Sequence, residues 1–183
     1  TFTLFYDSKK FKDFQGKNIK TSFLQHMPLS LKKYQWYIML MPSATESYNL
    51  KDYDVIVSSS SAFSKGVITR PDAIHICYCH TPTRYLWSDT HSYLQELQAP
   101  KLIKSVLPPM LSRLRLWDKA AAERVDHFLA NSETVKHRIK KYYRKQSSVI
   151  YPPVDISSFY VNNNDKSYFL IGGRLVAYKK YDL

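Results

Sequence analysis

Short apolar runs alternate along this chain with longer stretches in which apolar residues recur every third or fourth position. Phe2 to Tyr6 reads as a strand followed by a polar, lysine-rich connection, and Ile19 to Phe23 as a short extended piece. Apolar positions 31, 34, 38 and 41 have helical spacing. Asp54 to Ser58 is a short buried strand ending in the serine run 58–61, and Ile74 to Cys79 is another that opens onto His80-Thr81-Pro82. A helix is predicted from about Lys101 to Val125, interrupted at Pro108-Pro109, with Met110, Leu114, Trp117 and Ala121 as its apolar stripe. Asp126 to Ala130 reads as a strand, and Asn131-Ser132 as the cap of a basic helix running to about Lys145. Ser148 to Tyr151 is a last short strand, halted by Pro152-Pro153.

Buried strands alternating with helices imply an α/β fold with a parallel, doubly wound sheet. Ligands of such sheets sit outside the carboxyl ends of the strands. Ser58 to Ser61, His80 to Arg84, Asn131-Ser132 and Gly172 to Lys179 all fall at predicted strand ends. Their shared placement is a stronger signal than any one of them. Residues 1–150 form one domain in this reading. Tyr151-Pro-Pro-Val-Asp155 and the polar run Asn162 to Asp165 make a linker over 151–166, and a fresh strand at Tyr168 opens a second domain from 167.

That last strand carries the sharpest chemistry. Tyr168 to Ile171 runs into Gly172 and Gly173, then Arg174 and, five residues on, Lys179. Glycines at a strand end let backbone approach a ligand closely. An arginine fork and a lysine point charge beyond them suit a phosphate or diphosphate.

Composition narrows the partners. The 27 Lys and Arg outnumber 15 Asp and Glu, and the resulting net charge of +12 calls for an anionic partner: a phosphate ligand, acidic lipid or nucleic acid. A hydrophobic content of 44% excludes disorder, and no apolar run approaches the ~18 residues that span a bilayer. The chain begins at Thr1 without a basic-then-apolar leader, as an excised fragment would. Cys77 and Cys79, with His75, share one strand face. Parallel side chains ~7 Å apart suit neither a zinc nor a disulfide, so both read as buried free thiols of a reducing compartment.

Several segments resemble the retaining family 4 glycosyltransferases. They are Tyr53-Asp-Val-Ile-Val-Ser-Ser-Ser, Ala62-Phe-Ser-Lys-Gly-Val, His75 to Trp87, Leu116-Trp-Asp-Lys, Arg124 to Ser132, Val149-Ile-Tyr-Pro-Pro-Val-Asp155 and Gly173-Arg-Leu-Val-Ala-Tyr-Lys179. The chain is similar in particular to mannosyltransferase-like members of bacterial surface-polysaccharide synthesis, the O-antigen and lipopolysaccharide class. The resemblance implies the GT-B architecture, two Rossmann-like domains facing each other across a cleft. The amino-terminal domain would bind acceptor and the carboxyl-terminal one a nucleotide-diphosphate sugar such as GDP-mannose. It implies no metal or other cofactor, because Arg174 and Lys179 would neutralise the leaving diphosphate beside Gly172 and Gly173. The first strand with its glycine-rich loop, and the later acidic motif that grips the ribose, have no counterpart in these 183 residues. The chain alone is therefore expected to bind donor poorly and not to turn over.

His80 corresponds to the family histidine that faces sugar and acceptor, and its role would be to position and polarise. Candidate acceptor-binding residues are Ser59, Ser60, Gly66, Thr81, Arg84, Trp87 and Ser132. Arg84 fits an acceptor phosphate or a structural ion pair, and Trp87 a sugar-stacking ring or a core aromatic. Ser132 is first a helix cap, at an amino terminus that also attracts anions.

The helix after Ser132 bears Lys136, Arg138, Lys140, Lys141, Arg144 and Lys145, while Lys32 and Lys33 adjoin Tyr34, Trp36 and Tyr37. Such surfaces suit an acidic membrane, in keeping with a lipid-linked saccharide acceptor on the cytoplasmic face, or else plain solvation. Competing readings are a basic nucleic-acid-binding module and a catalytically silent interaction domain. The first is disfavoured, since no zinc finger, RNP strand, GXXG clamp or recognition helix is present.

Overall fold

The computed structural model describes residues 1–96, 101–157, 159–160 and 167–173. It divides into two compact units, Thr1–Pro152 and Pro153–Leu183. In the first, β1 (Phe2–Thr3) pairs in parallel with β2 (Lys20–Thr21). A separate parallel sheet of four strands has the order β3 (Val55–Ser60), β4 (Ile74–Cys79), β5 (His127–Ala130), β6 (Ser147–Val149). The helices are α1 (Met41–Glu46), α2 (Thr90–Glu96), α3 (Lys101–Glu123) and α4 (Glu133–Tyr143). The α/β class and parallel sheet are those of a Rossmann-like amino-terminal GT-B domain.

Two apolar clusters hold this unit. Cys77, Cys79 and Phe128 of the sheet pack against Ala122 and Val125 and against Val135, Ile139 and Tyr143 of α4. Leu24, Met41, Ala44 and Phe63 pack on Leu86, Leu111 and Leu114. The two thiols are free and buried, and burial pushes them up to about 11 for Cys77 and about 12 for Cys79. Neither is a ready nucleophile.

Four elements differ from their sequence reading. The predicted helix from Leu31 is a 3-10 turn over Tyr34–Leu40 that passes into α1. Pro42 has no N–H to donate to Ile38, and the Met41 N–H serves the Ile38 and Tyr37 carbonyls instead. Helix α3 runs through Pro108 and Pro109 without a break. Both prolines are exposed, where water can replace the donor each ring removes. Strand β3 runs on into the serine run as far as Ser60, with Ser58 and Ser60 buried and Ser59 exposed, and it is less buried than expected, since Val55 and Val57 are exposed. Finally, residues 167–173 take no strand, and Tyr168 to Ile171 lie exposed. An extended segment becomes a strand only when a neighbour pairs with it.

Pairing β3 to β4 buries a histidine. His75 is 0% exposed, with Nε2 2.8 Å from Ser58 Oγ. Burial lowers its pKa to about 4, against the pull of Asp126 and helped by Arg124. Above pH 6.5 it is neutral in folded and unfolded chains alike. As pH falls from 6.5 to about 4 only the unfolded chain takes the proton, so stability declines through that window. A loss of about 2–3 kcal/mol at pH 4.5 is expected from this group. Urea midpoints at pH 7 and 4.5 for wild type and His75→Gln check it, since the variant should lose less on acidification.

Candidate active site

The carboxyl ends of β3 and β4 bring two predicted residues into contact. Parallel register sets Ser59 beside Tyr78, one residue short of the end of β3, and His80 follows directly after the last residue of β4. The Ser59 Oγ is hydrogen-bonded to His80 Nε2 at 2.8 Å, and both residues are exposed. Tyr78 presents its ring edge-to-face to the imidazole, with centroids 5.3 Å apart. The His80 N–H donates to the Ser60 carbonyl at 2.8 Å, which fixes the backbone where the strand ends. An exposed imidazole with one nitrogen occupied by a hydroxyl is oriented yet accessible.

Thr81 continues this edge. Its Oγ1 accepts from Arg138 Nη1 of α4 at 3.3 Å. Arg84 forms an ion pair with Asp89, its Nε donating to Oδ2 at 2.6 Å. Burial tends to raise the Asp89 carboxyl, but hydrogen bonds from Ser88 and Arg84 and the charges of Arg84 and Arg138 hold it below the usual range. The structure thus shows the ion pair of Arg84, one of the two roles its sequence position leaves open.

On the other side of β3 lies a groove of about 610 Å³, lined by Phe2 to Leu4 of the first strand region and by Val55 to Ser59. Leu50, Tyr53 and the two valines make its body apolar, and Ser59, Ser61 and Ser64 set hydroxyls at its carboxyl-end mouth. The mouth shares Ser59 with the histidine pair.

Other candidates sit elsewhere. Ser60 is buried and donates to the Ala62 carbonyl at 3.4 Å. Ser132 caps α4, accepting from the Val135 N–H at 3.3 Å and donating to Asn131 Oδ1 at 3.2 Å. Trp87 stacks on Tyr142 and donates its indole N–H to Asp118 at 2.8 Å, as a core aromatic does. Gly66 is buried against the Trp117 indole, where an added Cβ would lie 2.3 Å from Cζ2. That indole is anchored by Glu46 and cannot yield easily. Its need for glycine is thus a matter of packing. Gly66→Ala should cost about 1–3 kcal/mol in a urea melt. Gly172 and Gly173 are exposed, Gly173 with φ 152°, a backbone that favours glycine. Arg174 and Lys179 lie outside the described residues.

Behind the histidine edge is a charged network that the sequence reading did not assemble. Lys65 and Asp118 are each 1% exposed and pair at 2.6 Å. Asp118 also accepts from Thr83 Oγ1 at 2.8 Å, Trp87 Nε1 at 2.8 Å and the Tyr143 hydroxyl at 2.9 Å. Four donors saturate the carboxylate. Burial, and then Asp118, push the Tyr143 hydroxyl far above its ordinary range, so it stays a donor. Lys65 further donates to the Ala62 carbonyl at 2.6 Å. One carboxylate on α3 therefore ties down the turn after β3, the loop after β4 and the end of α4. Its signal was an acid interrupting an apolar helical stripe.

The Glycosyltransferase Family 4 model matches residues 3–158. The chain belongs to that family. No curated protein and no solved structure matches it. Short polar side chains and an imidazole held on a rigid edge are groups that can hydrogen-bond hydroxyls of a ligand. Among the described residues no group of three or more His, Cys, Asp or Glu side chains is placed to hold a metal ion, and no helix is long and apolar enough to cross a membrane.

Proposed function

We propose that this glycosyltransferase moves a hexose with retention, mannose from GDP-mannose, onto a lipid-linked saccharide during bacterial surface-polysaccharide synthesis. The observation that carries the reading is the Ser59–His80 pair, held at adjacent carboxyl ends of a parallel sheet beside the hydroxyl-rimmed mouth of the groove. In this reading the acceptor sugar lies across the mouth. His80 positions and polarises the reacting hydroxyl, Ser59 orients the ring, and Thr81 with Arg138 adds polar contacts at the rim. Arg174 and Lys179, behind Gly172 and Gly173, neutralise the departing diphosphate without a metal, as part of a nucleotide-sugar domain that opens near residue 167. The donor and acceptor chemistry rests on the family resemblance, and the work takes place at the cytoplasmic face of the membrane.

Calorimetric titration with GDP-mannose and other nucleotide sugars tests this, using the 183-residue chain and a chain extended at both ends. Weak or no binding is expected for the first and selective binding for the second. Arg174→Ala in the longer chain should weaken binding about 10–100-fold, the value of a lost charge-assisted contact. Failure of both chains to bind any nucleotide sugar would defeat the transferase reading and leave a silent interaction module.

A further inference from the structure

We infer that the surface built by residues 9–36 is a docking face for an acidic lipid bilayer, and that α4 is not. Residues 7–45 carry seven lysines against two acids, Asp7 and Asp13, and Asp7 lies 3.9 Å from Lys10 Nζ, which leaves a clear positive excess. The same stretch leaves large apolar side chains in water. Phe11 and Phe14 are each 54% exposed and Trp36 is 68% exposed, with Leu29, Leu31 and Tyr34 also open. Exposed aromatics set among lysines that outnumber the carboxylates match the charge and polarity of an acidic membrane interface.

The two halves of this face are joined. The Tyr6 N–H donates to Gln25 Oε1 at 2.9 Å, Gln25 Nε2 donates to the Tyr6 carbonyl at 3.1 Å, and the Tyr6 hydroxyl donates to the Phe11 carbonyl at 3.3 Å. The loop bearing Phe11 is thereby tied to the turn at Gln25. Phe5 packs on Tyr34 with ring centroids 6.2 Å apart, and Tyr37 donates to the Pro28 carbonyl at 2.6 Å. Lys33 lies over the Trp36 ring, 5.9 Å from its centre. Rings can enter the headgroup layer while lysine stems lie along them and keep their charges at the phosphates.

Helix α4 differs in one respect that decides the matter. Its apolar residues Val135, Ile139 and Tyr143 are buried in the core, so its outer face offers Lys140, Lys141 and Arg144 with nothing apolar to insert. The basic helix singled out from sequence is a solvated face.

Co-sedimentation of the 183-residue chain with vesicles of equal phosphatidylglycerol and phosphatidylcholine, and of phosphatidylcholine alone, tests the inference. Binding to the acidic vesicles is expected, at least tenfold tighter than to the neutral ones, with a blue shift of Trp36 fluorescence. Lys32→Gln with Lys33→Gln should weaken it about 25-fold, at about fivefold per lysine. Trp36→Ala should weaken it severalfold without lowering the melting temperature, because that ring is exposed. Lys140→Gln with Lys141→Gln should change it less than twofold. No binding to acidic vesicles, equal binding to neutral ones, or loss only in the α4 variant would each overturn the inference. So would capture by a generic RNA in place of vesicles. Sugar-nucleotide binding is read separately, so this face can fail while the transferase reading stands.

Discussion

Asp118→Ala is expected to be the most damaging single substitution in the amino-terminal unit, lowering its stability by about 3–5 kcal/mol, the cost of breaking a buried ion pair by removing one partner. It would strand the Lys65 ammonium, which is 1% exposed, and leave the Thr83 hydroxyl, the Trp87 indole and the Tyr143 phenol without their acceptor. A domain of this size has only about 5–15 kcal/mol in hand. Removing both charges, as Lys65→Met with Asp118→Leu, cures the stranded ammonium but not the three neutral donors. The double variant should therefore recover part of the loss and no more. Urea unfolding of both proteins, followed by circular dichroism, reads the difference. A loss below about 1 kcal/mol for Asp118→Ala would show that water reaches the carboxylate and that the network is not closed.

The second large effect is expected at the strand ends. His80→Ala in a transfer-competent chain should lower kcat about 10²-fold, the usual loss of one preorganised polarising group. The melting temperature should stay within a degree or two, because His80 is exposed and its ring makes no core contact. Ser59→Ala removes the hydroxyl 2.8 Å from Nε2. It frees the ring without deleting it, so a smaller loss of about tenfold is expected. If Ser59 acts only through His80, Ser59→Ala in the His80→Ala background should do almost nothing. Equal losses for the two single variants, adding fully in the double, would place Ser59 in direct contact with the sugar.

Much of this protein is readable from one dimension. Strand β4 occupies the six residues that the apolar run marks, and the α4 cap stands at Ser132, because each is set by local rules of alternation and capping. The carboxyl-edge placement of Ser59 and His80 follows from parallel topology and chain order. Other features were decided only by packing. The apolar stripe of α3 was read through Met110, Leu114, Trp117 and Ala121, stepping around the acid at 118. The buried face actually runs through Leu111, Leu114, Asp118 and Ala121. A carboxylate can occupy a core position only when distant donors converge on it, and Lys65 lies 53 residues away in the chain. The same holds for Gly66, whose missing side chain is required by an indole from another helix, and for Trp87, turned inward by that carboxylate. Pattern along the chain determined strands β3 to β6 and helices α3 and α4 in outline, but not the 3-10 turn over Tyr34–Leu40 or the segment at Tyr168. The tertiary structure decided which charges are buried, which aromatics are core and which basic surface stays open, because those outcomes depend on groups that meet only after the chain has folded.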